Sequence, residues 1–149
     1  MRALPIVFGL LLISSRPATA QSVTVFKVPV SPATMTINTA VAGSQPTAVT
    51  DASTTYTVSV KQADAPQHIT AQIDASMPLG TTLSITMTLS SGGTGSGPQL
   101  LSTTPVTVVG NISRVNGSSG SITYTFSATA AAGVVSGQRF VTFTLVAGA

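Results

Sequence analysis

The chain has 149 residues, with no Cys or Trp, three acidic side chains, six basic ones and a single His. This inventory excludes a disulfide-stapled module and a cysteine-ligated metal site. It also leaves few groups for acid–base catalysis.

The first twenty residues, "MRALPIVFGLLLISSRPATA", place Arg2 ahead of an apolar run from Ala3 to Ile13 and end in Ala18-Thr19-Ala20. A basic start, a short apolar run and a small-residue cleavage site are the form of a secretory signal peptide, and the run is too short to span a bilayer. Residues 1–20 are therefore expected to be removed on export, leaving residues 21–149 as a single domain. Arg2 and Arg16 leave with the leader. Lys27, Lys61, Arg114 and Arg139 then face Asp51, Asp64 and Asp74, a balance of +1. Four scattered cations form no basic stripe, so nucleic acid is not an expected partner. No later segment has the apolar length of a membrane span.

In the remaining chain, period-2 alternation recurs and helical periodicity is almost absent. Strands are expected at 22–28, 34–40, 55–62, 68–74, 81–90, 105–113, 121–129 and 138–147. In "TTLSITMTL", for example, Leu83, Ile85, Met87 and Leu89 take one face and Thr82, Ser84, Thr86 and Thr88 the other. Gly, Pro, Asn, Asp and Ser fill the intervals, as turns require. Asn116-Gly117, both tolerant of positive φ, is expected to turn the chain between a strand ending near Val115 and one starting near Ser121. The pattern predicts an all-β, antiparallel β-sandwich of about seven to eight strands. A closed barrel is the alternative.

Parity assigns the core to Tyr56, Val58 and Val60; Ile69, Ala71 and Ile73; Leu83, Ile85, Met87 and Leu89; and Val106 and Val108. Ile122, Tyr124 and Phe126, with Val141, Phe143 and Leu145, complete it.

Chemistry-bearing clusters are scarce. His68 and Asp74 share a strand face but stand ~20 Å apart along an extended strand. Asp64, in the preceding turn, has no nucleophile motif with it. The residues predict no enzyme activity, no metal and no cofactor. "SGGTGSG" (91–97) lacks the Lys and helix of a phosphate loop and reads as a hairpin loop. "NIS" (111–113) and "NGS" (116–118) match glycosylation acceptors. Thr pairs at strand spacing invite an ice-binding reading, which sheet twist and the lack of a fixed repeat disfavour.

The mature N terminus, "QSVTVFKVPVSPATMTINTA", opens directly on a valine-rich strand that needs a groove to fill. Val23, Val25, Phe26, Val28 and Val30 are the groove-filling candidates. Val23 and Val25 have odd parity and the other three even parity, so one face holds all five only across a bulge. Pro29 removes one ladder donor.

With "VSPATMTI", "LSTTPVTV" (101–108), "VNG" (115–117), an "SAT…AG" stretch (127–133) and the final "FVTFTLVAG" (140–148), the chain resembles the cysteine-free, colonisation-factor type of major pilin of chaperone–usher fimbriae. The resemblance implies an immunoglobulin-like sandwich lacking its last strand, which the N-terminal extension of the next subunit supplies. It makes residues 22–30 the donor, and Val141, Phe143 and Leu145 a groove wall. The implied partners are copies of itself or related subunits, with a periplasmic chaperone and an usher. The implied location is the periplasm, cell surface or fimbrium. The alternative is a self-complete secreted immunoglobulin-like module that binds a ligand or cell-surface partner through its loops.

Overall fold

Alternation becomes strand wherever a ladder partner lies alongside. The computed structural model describes residues 24–29, 33–39 and 42–148, so the expected leader, Val23 and Val30 lie outside the described residues. The strands are β1 (Val25–Lys27), β2 (Val49–Val60), β3 (Gln67–Ile73), β4 (Thr81–Leu89), β5 (Thr94–Gly95), β6 (Gln99–Leu100), β7 (Val106–Ile112), β8 (Val115–Ala128) and β9 (Val141–Ala147). A 3₁₀ turn covers Ala130–Ala132. The strands form two sheets, ordered β1-β2-β8-β4-β6 and β5-β7-β3-β9, and every strand pair is antiparallel. The architecture is an all-β sandwich rather than a closed barrel.

The core lies between the sheets and is mainly aliphatic. Val58, Ile69, Ile85, Val108 and Ile122 are fully enclosed, with Tyr56 and Met87 nearly so. Each side chain of this size contributes roughly 1.5–3 kcal/mol when buried. Leu89, Val106, Phe126, Val141, Phe143 and Leu145 pack against this core while only partly buried. Val109, Ile112, Val115 and Leu101 join the core without having been expected there. Val108 and Val109 are buried in succession because β7 slips its register against β3 between Ile69 and Thr70, which breaks simple parity.

Three segments depart from expectation. Residues 34–39 of the expected 34–40 strand carry no strand ladder, although 33–38 alternate between half-buried and exposed. Ala33 and Met35 pack on the core, so alternation here records a buried face on an extended chain and not a hydrogen-bonded strand. Second, β2 begins at Val49, inside an expected loop. Pairing with β8 overrides the poor strand preference of Asp51 and Ala52, through a bulge between Asp51 and Thr54.

Third, Asn116-Gly117 is not a hairpin turn. It lies within β8, and its tolerance of positive φ (65° at Gly117) serves a bulge opposite Ser59. The chain turns instead at Ser113-Arg114, with Arg114 at φ 53°. There it steps from β7 in one sheet to β8 in the other. The Gly-rich 91–97 loop likewise contributes β5 to one sheet edge, and β6 follows on the edge of the other.

Candidate assembly edge

The two sides of the sandwich are built differently. On one side the segment from Thr94 to Leu100 passes from β5 to β6, placing a short strand on the outer edge of each sheet. Gly95 fits there because a Cβ would stand 2.4 Å from the Met87 carbonyl oxygen. On the other side the sheets end in β1 and β9. The ring of Phe26 in β1 meets Tyr56 of β2 at 5.7 Å and Phe143 of β9 at 6.2 Å, edge to face in both cases. This aromatic trio spans from one sheet edge to the other.

Strand β9 pairs with β3 over seven residues, from Val141↔Ile73 to Ala147↔Gln67. Its opposite edge carries no strand among the described residues. Val141, Phe143 and Leu145 point inward by alternation with exposed Thr142 and Thr144, yet all three remain half-buried. Their register partners Ile73, Ala71 and Ile69 are no more than 2% exposed. The sandwich is thus closed at β3 and thinly covered one strand further out.

Strand β1 is short and held at few points. Its three residues pair with Thr57–Ser59, so the same edge of β2 from Val49 to Tyr56 has no ladder partner among the described strands. The Thr24 hydroxyl donates to the Asp64 carboxylate and accepts the Lys61 amide at 3.1 Å. Phe26 and Val28 pack on the core, whereas Val25 is 37% exposed. The even-parity residues therefore form the buried face of this strand. An open groove of about 570 Å³ runs beside it, lined by Phe26, Val28, Pro29 and Tyr56 among others.

Asp51, Asp64, His68, Asp74 and Arg139 make hydrogen bonds within the fold. His68 Nδ1 lies 2.8 Å from the Gly148 carbonyl, while Asp64 holds Thr24, so the two do not share a site. Asp74 accepts the Phe140 amide at 3.0 Å. Arg139 donates twice to the Ser76 carbonyl, at 3.1 and 2.6 Å. Asp51 accepts the Ser53 hydroxyl and amide, and those bonds hold its pKa below the usual carboxylate value. Burial pushes Tyr56 and Tyr124 up to about 12, with the Asp51 charge adding to the effect at Tyr124. Among the described residues no three His, Cys, Asp or Glu converge as a metal site, and no helix is long and apolar enough to cross a membrane.

Sequence parity gave the inward face of β9, Val141, Phe143 and Leu145. It missed the Thr24–Asp64 tie, whose members stand 40 positions apart and belong to no motif. Comparison with protein-family models, curated proteins and solved structures found no match.

Proposed function

We propose that the chain is an exported structural subunit of a fimbrial or surface fibre that assembles by β-strand complementation. The observation that carries this reading is β9: an edge strand whose inward side chains stay half-buried, in a sandwich whose opposite side is capped. Support comes from labelling β1, β2, β3, β4, β8 and β9 as strands A to F and leaving β5, β6 and β7 as additions, which gives an A-B-E-D and C-F neighbour order like that of an immunoglobulin-type sandwich. The place beside F, where strand G belongs, is the outer edge of β9. Strand addition there supplies both the missing ladder and the missing cover.

Residues 22–30 are the proposed donor, with Phe26 and Val28 on its apolar face. In the isolated chain β1 rests on its own β2 through three register pairs. In a fibre the same segment passes to a neighbour's β9, an exchange of identical elements between copies. Head-to-tail exchange builds a filament where the rotation between copies does not close into a ring. The role is structural, without catalysis or cofactor. Before assembly, a periplasmic chaperone covers the β9 edge and an usher receives the subunit. The low charge of the mature chain suits close packing of like copies.

Deleting residues 21–31 tests the reading. Assembly should be lost, and the truncated product should be marginal or insoluble. A folded, soluble truncated chain that assembles as before contradicts it. A second reading, a self-complete secreted module binding through its loops, draws on the pairing of β1 with its own β2. A mature protein that stays monomeric at high concentration favours that second reading.

A further inference from the structure

Ser59 is 9% exposed, a buried polar residue lying between the core residues Val58 and Val60. Its hydroxyl has a specific partner, the Gly117 amide, which donates to it at 2.8 Å. The register explains the pairing: Val58 lies opposite Ser118 and Val60 opposite Val115. Asn116 and Gly117 therefore bulge from β8 across from the single residue Ser59. Asn116 is exposed, and a Cβ at position 117 would meet nothing within 4 Å.

An Asn-Gly pair carries its own reaction. With no side chain at the second residue to hinder it, the Gly117 nitrogen attacks the Asn116 side-chain amide carbon. The new C–N bond closes a five-membered succinimide as ammonia leaves and the nitrogen loses its proton. Water then opens the ring at either carbonyl, giving aspartate or isoaspartate. Ammonia leaves, water enters, and nothing is oxidised or reduced.

We propose that Asn116 is a modification site of this kind and that Ser59 is the positioning residue that restrains it. The attacking nitrogen is the atom whose proton Ser59 accepts. While that bond holds, the nitrogen keeps its proton and its orientation toward β2. Release from Ser59 frees the 116–117 peptide to rotate onto the Asn116 side chain. The product carries one more negative charge, and the isoaspartyl form adds a methylene to the backbone of the strand between β2 and β4.

The test is peptide mapping by mass spectrometry after incubation at mildly alkaline pH. Wild type, Ser59→Ala and Ser59→Thr are compared, with wild type unfolded in urea as reference and Asn116→Gln as the blank. Folded wild type should deamidate far more slowly than the unfolded chain. Ser59→Ala should react roughly fivefold faster than folded wild type, the factor one ordinary intramolecular hydrogen bond is worth. Ser59→Thr, which keeps the hydroxyl, should react at the wild-type rate. If Ser59→Ala does not fold, the Thr variant and the folded-to-unfolded ratio decide. Equal rates in folded and unfolded wild type, or a folded Ser59→Ala at the wild-type rate, overturn the proposal.

Discussion

Phe26 and Phe143 meet edge to face with ring centroids 6.2 Å apart, joining the last strand of one sheet to the last strand of the other. Aromatic pairs of this geometry are worth about 0.5–1.5 kcal/mol beyond the area they bury. A double-mutant cycle with Phe26→Ala and Phe143→Ala should return a coupling of about that size. Each single variant should cost about 2–3 kcal/mol, below the range for fully buried Phe because both rings are half-buried. Urea denaturation measures all four stabilities. Additive effects would show that the rings do not tie the edges together.

The Thr24–Asp64 bond fastens the start of β1. Asp64→Asn weakens a charge-assisted bond, a class worth about 1.5–3 kcal/mol. Amides of residues 25–28 should then exchange with solvent at least tenfold faster. Those of β3 and β8 should keep wild-type protection. Hydrogen exchange read by mass spectrometry separates this local release from global loss of stability, which would accelerate every segment.

Tyr56 lies across Gly120 and donates its hydroxyl to the Thr88 carbonyl at 2.8 Å. A Cβ at position 120 would stand 2.3 Å from the Tyr56 ring and 2.1 Å from the Thr88 oxygen. The latter is backbone and cannot swing away. Gly120→Ala should therefore cost about 3 kcal/mol or more. Tyr56→Phe removes only the hydrogen bond and should cost about 1 kcal/mol. Thermal unfolding of the two variants checks the order, and a Gly120→Ala protein as stable as wild type would refute the close approach.

Tyr56 and Tyr124 give the fold an alkaline limit. Their folded pKa values, about 12, lie above the ~10 of an unfolded tyrosine. Above pH ~10 the unfolded chain has released protons that the folded chain still holds, so stability falls as pH rises. The contribution is complete below pH ~10 and is lost through pH ~12. Denaturant midpoints measured from pH 8 to 12 should decline over that window, and Tyr124→Phe should flatten the decline.

The residues that carried information were those with a face to bury. Leu83, Ile85 and Met87 announced β4, and Val141, Phe143 and Leu145 announced β9, because burial on one side of a strand forces alternation. Residues 33–38 alternate equally well without a ladder, since hydrogen bonding leaves no mark on side-chain pattern. The Asn116-Gly117 signal was real as a demand for positive φ, but β2 alongside turned it into a bulge. Ser59, Thr24 and Asp64 act through partners distant in sequence, which local reading does not reach. That β9 has no further strand beside it among the described residues depends on sheet order, and strand patterns alone do not give that order.

The central claim is that the outer edge of β9 receives a strand from another copy. Amide hydrogen exchange of residues 21–149, followed by NMR as dissociated subunits and after assembly, tests it most directly. In the dissociated state every second amide of Val141–Ala147 should exchange freely, because β3 satisfies only the others. On assembly those free amides should become protected together. Assembly that leaves them exchanging freely, or a chain that does not assemble at all, would contradict the account.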